Sequence, residues 1–227
     1  MEIKSSGWVK RVAALVVKDI KSELRTRYAL NSLFMFALVT LVVVSFTLGP
    51  MGAEPRVHAV LLWIALFFSS MAGISRGIVQ EVEKGTADAL RLTVPAELVY
   101  VGKLIFNTCL LLIVNLLILL FYYFFMSPPG NGVGGVILVV MLGTISLSGA
   151  STLLSAMVAR ASLKGALLPV LAFPILLPAL LSAVEVTQLA FKGKLILGWG
   201  GELQMLVFYP LVLITASYLL FPLVWED

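Results

Sequence analysis

The chain has 227 residues, of which 60% are hydrophobic and only 12% are charged, with a formal charge of +4 and a mean hydropathy of +1.06. A soluble domain of this size carries roughly 45–50% apolar and about 25% charged residues, so the composition excludes a water-soluble fold and equally a disordered chain. A single cysteine, Cys109, excludes a disulfide framework or a Cys-X-X-Cys redox pair, and a single histidine, His58, excludes a multi-histidine metal or haem site built from this chain alone.

Residues 8–27 predict an amphipathic helix lying in the membrane interface. Val9, Val12, Val16, Ile20 and Leu24 recur at steps of three and four, with Arg11, Lys18, Lys21 and Arg25 on the opposite face. It is either a topological anchor or a helix that also touches a partner. Beyond it the charged residues mark out the spans, since a bilayer core of about 30 Å needs roughly 20 apolar helical residues. Uncharged stretches of 26 residues after Arg27, 17 after His58, 56 after Lys103, 20 after Lys164 and 23 after Glu202 meet that need. The longest is divided by Ser127-Pro128-Pro129-Gly130-Asn131-Gly132, which breaks both helix and strand. The expected spans are 29–48, 58–78, 102–126, 133–158, 165–184 and 204–224. Their continuous apolar runs argue against a transmembrane barrel, whose strands alternate. The first run is too long for a cleavable signal and lacks an Ala-X-Ala-like site, so it is expected to stay in the membrane.

Thirteen of the 16 lysines and arginines fall before the first span or in the loops after spans two and four; only Arg56, Lys192 and Lys194 fall on the other side. This bias predicts cytoplasmic termini, with the basic charge facing lipid headgroups rather than nucleic acid. The loop after span two is expected to hold a short helix over 85–94. Thr86 stands at its N-cap, Asp88 in its first turn and Arg91 near its last, with Pro95 as its stop. Ala87, Leu90 and Val94 give it a small apolar stripe, so it is either a solvated turn or a docking knob. The loop from Glu185 to Glu202 is half apolar and too short to cross and return, which predicts short re-entrant helices before span six.

Within the spans no central charge is expected, which argues against a proton-coupled transporter. Small residues crowd span four (Gly143, Ser146, Ser148, Gly149, Ala150, Ser151, Ser155 and Ala156), as helix packing or as a substrate-lining surface. Pro169, Pro174 and Pro178 can kink span five. No P-loop and no G-x-S-x-G occurs, and no catalytic constellation survives. His58, beside Arg56, reads as an interfacial residue rather than a haem ligand.

The segment Glu81-Val82-Glu83-Lys84-Gly85-Thr86, followed by Leu90, Leu92, Pro95 and Tyr100-Val101-Gly102-Lys103, resembles the coupling segment of type-2 ABC transporter permeases. Further segments are similar to the haem exporter protein B (CcmB) family. They are Lys18-Asp19-Ile20-Lys21-Ser22-Glu23-Leu24-Arg25, Leu48-Gly49-Pro50, the run from Trp63 to Ser70, and the run from Lys164 to Pro178. One departure is Ser75-Arg76-Gly77-Ile78-Val79, which lacks the bulky and acidic residues expected before the coupling helix.

The resemblance implies an all-α permease forming a single transmembrane domain over 1–227, not itself an enzyme, in the bacterial inner membrane. It implies pairing with a second copy and with an ABC ATPase subunit that carries ATP and Mg. The wider complex would hold a haem-handling membrane protein, a small single-span subunit and a periplasmic haem chaperone. ATP hydrolysis would be tied to haem handling or to release of the loaded chaperone. This chain is expected to bind no cofactor or metal, and haem belongs to the wider complex. Glu81, Glu83, Gly85, Thr86, Asp88 and Arg91 are the expected ATPase-docking residues. The alternative within the superfamily is export of a lipid, polysaccharide or drug. A small secondary transporter and a passive membrane scaffold are the readings from other classes.

Overall fold

The computed structural model describes residues 2–26, 28–48, 54–74, 77–83, 85–130, 132–159, 164–194 and 200–226, and every regular element among them is an α-helix. In chain order these are α1 (Glu2–Thr26), α2 (Tyr28–Leu48), α3 (Pro55–Ile74), α4 (Gly77–Glu83), α5 (Ala87–Thr93), α6 (Ala96–Met126), α7 (Val133–Val158), α8 (Lys164–Phe191) and α9 (Gly200–Glu226). Five of them, α3, α6, α7, α8 and α9, are long and apolar enough to cross a membrane. In α2 the apolar stretch Ala37–Phe46 is shorter. Lipid tails are as apolar as leucine, so these helices are held together by close packing and interhelical hydrogen bonds.

The small residues of α7 decide the arrangement. This helix packs against α6, α8 and α9 and also meets α3. Gly143 admits the Trp63 indole of α3, and Gly149 admits Ile214 of α9. The indole Nε1–H donates to Thr187 Oγ1 of α8 at 2.9 Å, satisfying the one polar atom that a buried tryptophan carries. Along the α6–α7 seam Asn107 Nδ2 donates to Thr152 Oγ1 and Asn115 Nδ2 to Thr144 Oγ1, both at 2.9 Å, while Thr108 Oγ1 meets Ser148 Oγ at 2.8 Å. Span four is therefore a packing hub rather than a cavity wall.

Among the described residues two buried apolar clusters result. The larger joins residues of α2, α3, α6, α7, α8 and α9. The smaller gathers Ile78 and Val79 of α4, Ala87 and Leu90 of α5, Val99 and Tyr100 of α6, Ala156 of α7, and Phe221 and Trp225 of α9. It caps one end of the bundle, here the α5 end.

At the other end the α6–α7 turn seats against the end of α8. A Cβ on Gly130 would lie 2.1 Å from the Phe191 carbonyl oxygen, and Gly130 holds φ +88°, so glycine is required twice over. His58 is buried here instead of lying at the interface. Its Nδ1 is 2.8 Å from the Tyr122 hydroxyl, which also lies 2.9 Å from the His58 carbonyl, and its ring meets Phe191 edge-on. Neighbouring Arg56 suggested exposure, but Tyr122, 64 residues away, covers the ring.

The segment from Glu185 also departs from expectation. α8 does not stop at Glu185 but runs on to Phe191. One exposed acid does not end a helix; Gly193 does, with φ +69° and the paired bonds Gly193 N–H to Ala190 O and Lys194 N–H to Leu189 O. The remainder expected to be re-entrant, residues 195–199, lies outside the described residues.

Candidate functional site

The α5 end contains an elbow whose geometry follows from glycine chemistry. α4 closes with Gly85 N–H donating to Val82 O at 3.2 Å and Thr86 N–H to Glu81 O at 2.9 Å, while Gly85 turns left-handed at φ +67°. This paired closure ends one helix and aims the next within two residues. Thr86 occupies the N-cap position of α5, but its hydroxyl makes no cap bond there. Oγ1 turns back to the Glu81 carbonyl at 3.2 Å and to the Glu81 carboxylate. Thr86 holds helical backbone angles (φ −89°, ψ −10°) in place of the extended ones of a capping residue, and its hydroxyl is oriented as a donor to the buried carboxylate, which explains the change from the expected cap.

Glu81 is the centre of a buried ion cluster. Its Oε1 receives Lys18 Nζ from α1 and, at 3.1 Å, Lys103 Nζ from α6. Lys103 also lies 2.9 Å from the carboxylate of Asp19 on α1. Lys103, Asp19 and Glu81 are all buried, at 3%, 7% and 7% exposure. Two lysines balance two carboxylates, which is the condition for burying charge at tolerable cost. Three segments distant in the sequence are thereby pinned at one point: the N-terminal helix α1, the elbow and the start of the long helix α6. Asp19 interrupts the apolar side of α1, where Val12 is buried while Val9, Ile20 and Leu24 stay 59%, 40% and 58% exposed. Of the expected apolar stripe Val12 is buried, whereas the contact with α6 is made by Leu15, outside that stripe, against Gly102.

Burial by itself would raise the Glu81 pKa, but the Lys103 charge and the hydrogen bonds from Lys18, Thr86 and Lys103 outweigh it and hold the carboxyl at about 2. The folded value lies below the ordinary 4.5, so the stabilisation is fully present above about pH 4.5 and is lost as pH falls toward 2. The difference corresponds to on the order of 3 kcal/mol. Thermal unfolding of detergent-solubilised protein between pH 6 and pH 3 is expected to show the lowering of Tm, and Glu81→Gln to flatten it. An equal slope in the variant would exclude Glu81 as its source.

Of the expected docking residues, Glu81 is thus buried and turned to the ion cluster. Glu83, Gly85, Thr86 and Asp88 are exposed on the elbow. Arg91 is half-buried, 3.5 Å from the Asp88 carboxylate, and stacks over the Trp225 ring at 5.0 Å. The apolar stripe of α5 faces inward through Ala87 and Leu90, leaving Leu92 89% exposed at the tip. The exposed leucine stands beside Arg91 on a short helix whose base is pinned by the ion cluster. Sequence reasoning placed Leu92, Asp19 and Lys103 only within quoted motifs, and it passed over Trp225. The pairing of opposite charges in Lys18-Asp19, Glu81 and Lys103 was the available signal. Among the described residues, no group of three or more His, Cys, Asp or Glu side chains gathers in a way that could hold a metal.

A sequence model of the family described as "CcmB protein" matches residues 10–221. The chain is also 24% identical over 189 residues to Heme exporter protein B of Bradyrhizobium diazoefficiens, covering 82% of this chain and 85% of that relative. The match takes in α1 from Lys10, the elbow, α3, α6, α7 and α8 in full and α9 as far as Phe221, and the ion cluster lies wholly within it. This multi-pass membrane protein belongs to the CcmB family.

Proposed function

We propose that the chain is the permease subunit of a haem-exporter ABC complex in cytochrome c maturation, and that it converts ATP hydrolysis by a partner subunit into haem handling or release of a haem-loaded periplasmic chaperone. The observation that carries this reading is the elbow. It exposes Leu92, Asp88 and Glu83 while Glu81 locks its base to α1 and α6. A knob so fastened passes a push into the membrane helices instead of dissipating it locally. α2 completes six spans with the five longer helices, both termini are cytoplasmic, and the elbow faces the cytoplasm of an inner membrane. The segment 185–202 then lies on the periplasmic side. The ATPase, with its ATP and Mg, docks on Glu83, Gly85, Thr86, Asp88 and Arg91. A second copy of the chain, a haem-handling membrane protein, a small single-span subunit and the chaperone complete the assembly. The chain itself is non-catalytic. ATP-driven closure of the partner dimer biases a two-state bundle through α4, α5 and α6.

Purification of the tagged chain from its native membrane in mild detergent tests the reading. An ATPase together with haem-handling proteins is the expected result. An ATPase alone leaves a type-2 permease of another substrate, and neither overturns the assignment. Changing Glu83 and Asp88 together to lysine is expected to reduce the recovered ATPase at least tenfold with membrane insertion unchanged. Undiminished recovery would remove the elbow from the interface.

A further inference from the structure

The last turn of α9 closes over the elbow. Arg91 Cζ lies 5.0 Å from the centroid of the Trp225 ring, and Trp225 is 2% exposed. Its ring stacks on Phe221 at 5.6 Å and 17°, and Phe221 in turn meets Tyr100 of α6 at 5.2 Å. Neither Arg91 Nε nor Trp225 Nε1 has a hydrogen-bond partner, although both are shut off from solvent. A guanidinium donor buried without an acceptor is unfavourable unless something else attracts its charge, and the indole face does so. The contact is therefore made for stacking and not for a hydrogen bond. Beside it lies an open cleft of about 240 Å³, lined by Arg91, Leu92, Val94, Pro95 and Trp225.

From Trp225 the helix runs back to Gly200 as one element, with Pro222 and Pro210 inside it. At 1.5 Å per residue its 27 residues extend about 40 Å, enough to reach the opposite end of the bundle. On the way it packs against α7 and α8. From this geometry we infer that Trp225 is a positioning residue that clasps α9 to α5, so that displacement of the elbow is carried along the final helix to the first turn of α9 around Gln204. This rests on the reading of α5 as the ATPase-docking element. It adds a second line of transmission, separate from the α4–α6 route and carried by a residue outside the docking surface.

The test uses the assembled complex purified through the full chain, with Cys109→Ser to remove the native thiol and Gln204→Cys as a reporter, since Gln204 is exposed. Labelling of the reporter by a membrane-impermeant maleimide is measured with and without ATP. In the otherwise native chain ATP is expected to change the labelling rate at least threefold. Trp225→Leu keeps a buried apolar side chain but removes the ring face; it is expected to retain the ATPase and abolish the ATP response. Trp225→Phe restores an aromatic face and is expected to restore most of it. A full ATP response in Trp225→Leu overturns the relay and leaves the docking reading intact. If the parent chain recovers no ATPase, the functional reading fails and the relay fails with it. If the leucine and phenylalanine variants both fail to accumulate in the membrane, Trp225 serves folding alone and the relay is likewise overturned.

Discussion

Replacing Lys103 by methionine is expected to destabilise the detergent-solubilised chain by roughly 3–5 kcal/mol, the range for removing one partner of a buried ion pair. The magnitude follows from what is left behind. Asp19 loses the ammonium 2.9 Å away, and Glu81 keeps only Lys18, which is 46% exposed and well hydrated, together with Thr86. Two carboxylates would then share a buried pocket with one peripheral cation. Combining Lys103→Met with Asp19→Asn is expected to recover part of the loss, because the second change removes the stranded charge. Tm measured by intrinsic fluorescence across the two single variants and the double variant gives the coupling directly. A Lys103→Met protein within about 1 kcal/mol of the parent would contradict a load-sharing role for the cluster.

The second large effect is steric. Gly143→Ala places a Cβ 2.0 Å from the Trp63 ring, far inside any real carbon–carbon contact. Trp63 is 2% exposed and tethered through Nε1 to Thr187, so the indole has no free rotation to escape. Overpacking of a tight core costs about 1–3 kcal/mol, and a rigid tethered ring puts this case at the upper end. The expected readout is a sharp fall in the folded, monodisperse fraction after solubilisation. Trp63→Phe in the same chain is expected to restore at least half of it, since the smaller ring vacates the space the new methyl needs. Unaltered yield from Gly143→Ala alone would show that α3 and α7 can separate there without penalty.

The helices and the elbow were largely legible in the sequence, because charge spacing and apolar run length are local properties that lipid enforces directly. α7 runs over 133–158, the apolar stretch opened by the Pro-Gly break at 128–132. Pro95 marks where α5 has ended and α6 begins. The convergence of Lys18, Asp19, Glu81 and Lys103 was not legible. Their partners lie 22 to 84 positions apart, so only the docking of α1 on α6 brings them together. The same distance effect hid Tyr122 from His58 and Trp225 from Arg91. The Glu185 boundary failed for a different reason: a charge was treated as punctuation, whereas helix ends are fixed by backbone closure, which Gly193 supplies.

The two asparagine–threonine pairs between α6 and α7 bear on how the chain is made. Asn107 and Asn115 are eight positions apart on one helix, and Thr152 and Thr144 eight apart on the other, in opposite order. Antiparallel insertion of the two helices as a hairpin is the geometry that satisfies both amides at once. A slip of one turn, about 5.4 Å, would break both pairs and leave at most one amide opposite a hydroxyl, that of Ser148. The pairs therefore favour a single register of the two helices. They set the depth of α6 against α7, and with it the height at which Lys103 waits for α1 and the elbow.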